Sequence, residues 1–442
     1  MTSADRPMDA ETVRHCALDS RLVDAVGPVR LLPAVGWPVS TRDEFLAGWQ
    51  AGRPVLPKVS YPPIDLSPAR TELARIRAEA DPAHPLGRFL RRRAESWSLA
   101  AELIEHAGEP IAGERSIALF GRPGDTLPGG AVGNLDAARH FLSIADELDR
   151  DLMPQEADYC IPPETLCAEL QAEMDRFFVR HRVQVVVDSA LTAKAAAGAA
   201  RIRLRGGTCF SPYDRDQLLQ HEAYVHTLTA LNGREQPHLK SLGRTAPHAL
   251  ATQEGLAVFS ELIAGVMDIE RMKRISLRTL AIDMALSGAD FIEVFRWFVD
   301  AGQTAHDSFA SAQRVFRGVP LTGGTAFTKD GVYLHGLIEM HTFFRQSLAQ
   351  RRLDRAHTLF VGKLSLDEVE LLTPLIAEGV VAAPEYLPPW MQRVNGLAGT
   401  LAFSLFANRI RMDRVADGAA NEPTTVSRRN KANQAPPTQG TQ

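Results

Sequence analysis

The hexapeptide His221-Glu222-Ala223-Tyr224-Val225-His226 sets two imidazoles around a carboxylate inside an amphipathic run from Asp214 to Leu231. Such a trio suits a metal ion held by the two rings, with the carboxylate beside it to move protons. The spacing is unusual. In H-E-x-x-H the histidines are four apart and share one helix face. Five residues of regular α-helix turn through about 500°, which leaves the second ring roughly 140° from the first. A π-helical turn, with i→i+5 hydrogen bonds, returns both to one side, so the sequence predicts a widened turn between His221 and His226. From the hexapeptide alone, a metal centre and a pair of structural helix histidines beside a surface glutamate are equally good readings.

Two imidazoles need at least one further protein ligand, with a coordination position left open if the site is catalytic. The best source is Ala251-Thr252-Gln253-Glu254-Gly255-Leu256-Ala257, continuing to Glu261. Thr252 is read as the cap of a helix that carries Glu254 in its first turn. Glu254 and Glu261 are seven apart and share a face. Glu254 is assigned to the metal, and Glu261 to a supporting position behind the ligands.

The segments HEAYVH, LNGREQP, ATQEGLAVFSEL, GADFIEVFRWF, RVFRG and FTKDGVYLHGL occur in order between about 162 and 406. Together they resemble the QEGLA-motif proteins, described in bacteria as flavohaemoglobin expression-modulating and related to the animal microtubule-associated tyrosine carboxypeptidases. The resemblance implies zinc, one per chain, on His221, His226 and Glu254, with Glu222 as the catalytic carboxylate. It also implies hydrolysis of a C-terminal residue, perhaps aromatic, from a peptide or protein. The competing reading is a non-catalytic, zinc-stabilised regulatory or binding protein. Two imidazoles and a carboxylate accept other divalent ions as well, and zinc is preferred through the family.

Such a peptidase requires a donor for the developing oxyanion, and Tyr333 is the first choice, with His335 as the rival. A free C-terminus must be neutralised, for which Arg314, Arg317 and Lys329 are the candidates. His248 either lines the pocket or ends a loop.

The elements that position these residues read as a mainly helical α+β fold, with a zincin-like metallopeptidase core and a small sheet. Three regions are expected: a proline-punctuated helical region over 1–160, a catalytic domain over 161–416, and a disordered polar tail over 417–442. Residues 1 to about 20 read as weakly structured. Helices are expected over 41–50, 67–80, 85–107, 134–151, 163–181, 272–287, 289–301, 308–316, 329–348 and 367–378. Strands are expected at 116–120, at 183–188 as a buried strand, and at Arg201-Ile202-Arg203-Leu204-Arg205. The last alternates charge and aliphatic strictly, and is read as a half-exposed edge that could hold an extended peptide. Arg88, Arg91, Arg92 and Arg93 are read as a solvated helix face.

Composition closes off several classes. The chain has 442 residues, 45% hydrophobic and 23% charged, which is ordinary for a globular protein. A net charge of −4 gives no support to a nucleic-acid binder. No run of 18 uncharged apolar residues and no secretory h-region appear, so neither a membrane span nor export is expected. The four cysteines form no C-x-x-C pair and suggest no disulfide framework, which makes a reducing cytoplasm the simplest location. Oligomeric state is not readable from the sequence.

Overall fold

A computed structural model describes residues 8–407, apart from 128, 131, 149–159 and 192. The expected tail over 417–442 lies outside the described residues, as does the junction segment 149–159.

Helices dominate, and the sheet has three strands: β1 (Gln184–Asp188), β2 (Ala195–Ala197) and β3 (Arg201–Arg205), in the order β1-β3-β2. β1 runs parallel to β3, in the register Val185 to Ile202, and β2 runs antiparallel to it. β3 is therefore the central strand. Its alternation is real, with Ile202 and Leu204 buried and Arg201 and Arg203 exposed. Both of its edges are nevertheless occupied, so it cannot act as the open peptide rail expected of it. The neighbour that closes it, Ala195-Ala196-Ala197, carries no alternation to announce a strand. β1 is also less buried than expected, with only Val185 of its five residues inside.

Two apolar clusters fill the interior. One joins Leu18, Leu22, Leu73 and Phe89 from the first hundred residues to Val225, Leu228, Phe259, Phe344 and Val369. The other is aromatic, with Phe45, Phe291, Phe295, Phe309, Phe316 and Phe327 around Leu103 and Val315. The N-terminal helices thus complete the cores that carry the site-bearing helices.

Several expectations are corrected. The N-terminal stretch is helical over Ala10–Ala25, because Asp9 caps it by accepting the Thr12 N–H at 2.7 Å. Ser116 to Phe120 is the end of a helix, Pro110–Phe120, with proline at its first position and Gly121 at a φ of 76° as its stop. Arg93 is no part of a solvated face: it is fully buried, while Arg92 pairs with Asp367 at the surface. Cys160 and Cys209 are joined in a disulfide, with Cα atoms 4.9 Å apart. The backbone pair Ile161–Phe210 beside them brings the two segments together, through hydrogen bonds of 2.8 and 3.0 Å. Cys16 and Cys167 are free. Among the described residues no helix is long and apolar enough to cross a membrane.

Candidate metal centre

The histidines lie on one continuous rod: an α-helix Pro212–Leu218, a π-helix Leu219–Thr227 and an α-helix Leu228–Glu235. The rod starts at a capping box in which Ser211 and Asp214 exchange backbone and side-chain hydrogen bonds of 3.0 Å. The widened turn predicted from the five-residue spacing is present. It brings the rings of His221 and His226 to 4.7 Å between centroids, nearly perpendicular. Wide turns leave backbone groups poorly served, and Thr229 helps here, while Thr227 ties the turn to the sheet. Thr229 Oγ1 donates to Val225 O at 2.7 Å, and Thr227 Oγ1 donates to Gly198 O beyond β2 at 3.2 Å.

Glu254 arrives on the helix Leu250–Ile263. Thr252 does not cap it; it lies inside the helix and its Oγ1 accepts the Leu366 N–H at 3.0 Å. The helix is pressed against the helix Val332–Ala349 at a glycine pair. A Cβ on Gly255 would stand 2.3 Å from the Gly336 carbonyl, and one on Gly336 would stand 2.1 Å from Ala251 O. Both positions require glycine.

Glu254 Oε2 lies 3.4 Å from His221 Nε2 and 3.5 Å from His226 Nε2. Ligand atoms bound tetrahedrally at about 2.0–2.2 Å from an ion are about 3.3–3.6 Å apart, so the spacing fits a shared cation. One ligand atom from each of the three residues falls within 4.8 Å of the others. Glu254 Oε2 and His226 Nδ1 are buried without a hydrogen-bond partner. An orphaned buried carboxylate oxygen is costly unless something cationic satisfies it.

His221 is held from behind. Its Nδ1 meets Glu261 Oε1 at 2.6 Å, which leaves Nε2 for the shared centre. Glu261 in turn receives Arg271 Nη2 at 3.0 Å, Arg271 Nε at 3.1 Å and Gln217 Nε2 at 2.9 Å. Burial opposes charge on Glu261, but Arg271 and His221 outweigh it and hold its pKa at about 2. Burial likewise disfavours the His221 imidazolium, yet Glu254 and Glu261 raise its pKa to about 9. Burial and the neighbouring His221 lower that of His226. Lys329 and the two imidazoles overcome burial to keep Glu254 well below the usual carboxylate range. Glu254 thus keeps its negative charge between the two imidazoles and Lys329.

Glu222 is buried beside His221, and its carboxylate acts electrostatically on His221 and on Lys363. Burial pushes the Lys363 ammonium down to about 8, while Glu254 and Glu222 act in the other direction. Tyr333 stacks towards His221, with ring centroids 6.5 Å apart. Burial first, and Glu254 second, raise its pKa, so its hydroxyl keeps its proton.

The basic residues gather next to Tyr333. Lys329 Nζ is 3.5 Å from Glu254 Oε1 and 5.4 Å from the Tyr333 ring centroid. Arg314 grips Asp330 with two hydrogen bonds, one of 3.0 Å through Nη2. Arg278 Nε reaches Asp330 Oδ2 at 3.8 Å. Arg317 Nε is buried and has no hydrogen-bond partner. Burial, then repulsion from Arg314, lower both Arg278 and Arg317 to about 10, while Asp330 partly restores them.

His221, Glu222, His226, Glu254, Lys329 and Tyr333 thus share one site, with Arg314 and Arg317 beside it. His335 does not join them; its Nε2 pairs with Glu339 at 3.2 Å. His248 belongs to another cluster, bonding Ser96 Oγ at 2.9 Å and Glu368 Oε1 at 3.1 Å. Three participants escape sequence reading: Arg271, Arg278 and Lys363. The only available signal is the i, i+7 spacing of Arg271 and Arg278 along the helix Ile269–Leu286, which places them on one face.

A family model described as microtubule-associated tyrosine carboxypeptidase matches residues 44–409. No curated protein sequence matches the chain. The match spans most of the chain, and the protein belongs to that family.

Proposed function

We propose that this member of the family is a zinc-dependent metallocarboxypeptidase with a zincin-like active site, which removes one residue from the free C-terminus of a peptide or protein. The observation that carries the reading is the convergence of His221 Nε2, His226 Nε2 and the orphaned Glu254 Oε2 at the spacing of ligands around one ion. A divalent metal bound there supplies a Lewis acid for the scissile carbonyl and makes water more acidic. Glu222, adjacent in sequence to a ligand, takes the proton of the attacking water and delivers it to the leaving nitrogen. The oxygen of water ends on the carbonyl carbon, the C–N bond breaks, and the released residue departs as a free amine. Tyr333 keeps its phenolic proton and donates to the oxyanion that develops on the carbonyl. Arg314, Arg317 and Lys329 form the cationic wall that receives the terminal carboxylate and so restricts cleavage to chain ends.

The test is metal content and residue release on protein purified without a polyhistidine tag or chelator. We expect about one zinc per chain and release from peptides with a free C-terminus, with none from C-terminally amidated ones. Glu222→Gln is expected to lower turnover by about 10²–10⁴-fold with the metal retained. Zinc at full occupancy with no hydrolysis, and indifference to Glu222→Gln, would instead establish a zinc-stabilised binding protein.

A further inference from the structure

The helix Val394–Ala407 is apolar on more than the side it buries. Its 14 residues include no ionisable side chain. One face packs Leu397 and Leu401 into the main core, beside the helices Val332–Ala349 and Pro389–Gln392. At about 100° per residue, Gly396, Gly399, Ala402, Phe403 and Phe406 fall on the opposite side. All five are exposed, Phe403 at 73% and Phe406 at 62%, and these two are the only exposed phenylalanines among the described residues. A helix that is apolar all round is ordinarily covered all round.

The surroundings of the outer face indicate what covers it. Arg393, at the start of the helix, is exposed, and the sequence beyond the helix continues with Arg409, Arg411 and Arg414. Between 393 and 416 the only acid is Asp413. Residues 417–442 hold a single large apolar side chain, Val426, too little to bury two phenylalanines. A second copy is opposed by charge: with arginines at both ends of the helix, parallel and antiparallel pairings alike set basic ends against basic ends. Asn395 and Thr400 flank the first half of the face. Its second half, around Ala402, Phe403 and Phe406, offers no polar side chain, and so lacks the hydrogen-bonding groups that give a protein interface its register. Aromatic rings without polar neighbours, next to a run of arginines, suit a bilayer with anionic headgroups. No described helix is long and apolar enough to cross a membrane, so the contact is a lateral one, along the surface.

We propose that the face of the helix Val394–Ala407 bearing Phe403 and Phe406 docks this protein reversibly on an anionic lipid surface, with the neighbouring arginines supplying the attraction to the headgroups. The rings enter the boundary between headgroups and acyl chains, where burial is favourable without directional bonds. The proposal is independent of the metal centre and holds whether or not the chain hydrolyses peptides.

The experiment is sedimentation of the full chain with vesicles of phosphatidylcholine, alone or with about one third phosphatidylserine. Binding to the anionic vesicles is expected to be at least about tenfold tighter than to the neutral ones, and to weaken as salt rises from about 0.1 to 1 M, where the screening length falls from about 10 to 3 Å. Phe403→Ser with Phe406→Ser should lower anionic binding by about tenfold or more, with the melting temperature unchanged because both rings are exposed. Arg409→Gln, Arg411→Gln and Arg414→Gln together should lower it similarly and remove most of its salt dependence. Anionic binding that survives the phenylalanine pair overturns the proposal. A concentration-dependent dimer in light scattering, dissolved by the same pair, assigns the face to a second copy and also overturns it. So does a monomer that sediments with neither kind of vesicle, which leaves the face to a protein partner.

Discussion

Two buried clusters in this molecule use the same side-chain types to opposite ends. The first joins Arg93, Glu368 and His248. Arg93 gives Nε to Glu368 Oε1 at 3.0 Å, Nη1 to Ser241 O at 2.9 Å, and Nη2 to Lys363 O at 2.6 Å and Glu368 Oε2 at 3.1 Å. Glu368 also accepts the Ser365 N–H at 2.8 Å, and both ring nitrogens of His248 are occupied. The second cluster, around His221, His226, Glu254 and the basic bank, has orphans at His226 Nδ1, Glu254 Oε2 and Arg317 Nε. A histidine, a glutamate and an arginine with every polar atom satisfied fasten helices together. The same three with atoms left over are a place for something to bind.

The largest effect that would sharpen this contrast is at the open cluster. His226→Ala should take zinc from about one per chain to none by plasma mass spectrometry, and abolish hydrolysis, while the melting curve of the metal-free protein barely moves. A mutant that keeps its zinc would break the distinction at once. At the closed cluster the pattern should reverse. Arg93→Ala strips the buried Glu368 of its guanidinium partner and should cost about 3–5 kcal/mol in urea unfolding, with zinc per folded chain unchanged.

A third difference is in acid. Burial would raise the pKa of Glu368, but Arg93 and His248 hold it at about 2, below its ordinary 4.5. A depressed carboxylate contributes stability that is complete above about pH 4.5 and is lost as pH falls through about 2, worth about 3 kcal/mol here. Urea unfolding at stepped pH should show that slope, and Glu368→Gln should flatten it; an unchanged slope would assign acid sensitivity elsewhere. The smallest expected effect lies at the junction between the two styles. Glu261 is fully satisfied itself yet serves an open site, so Glu261→Gln should weaken zinc binding only about 10–100-fold, measured by competition with a chelator, with little change in fold stability.

What the sequence reveals of all this follows from the range of the interactions. The π-helical turn is readable because five residues between two useful imidazoles contradict a regular helix. Glu261 is readable because seven residues separate it from Glu254. Both are local facts. The disulfide spans 49 residues and depends on a two-residue backbone bridge that no spacing announces. Arg93 looks like its neighbours in a run of arginines, and only the packing of Glu368, from 275 residues away, makes it a core residue. β3 reads as an edge in the sequence because the strand beside it is three alanines. Arg278 gains its meaning from Asp330 and Arg317, which the chain brings to it through two later segments.

The glycine contact between the helices Leu250–Ile263 and Val332–Ala349 bears on how accurately the site can be set. Glu254 is one residue from Gly255, and Tyr333 is three residues from Gly336, so two residues of the candidate site are both gauged from one backbone-on-backbone crossing. Side chains have rotamers and give under load, but two main chains in van der Waals contact have almost no play. The crossing works as a machinist's datum: errors of packing elsewhere along either helix move Glu254 and Tyr333 together with it, and the tolerance between them stays small.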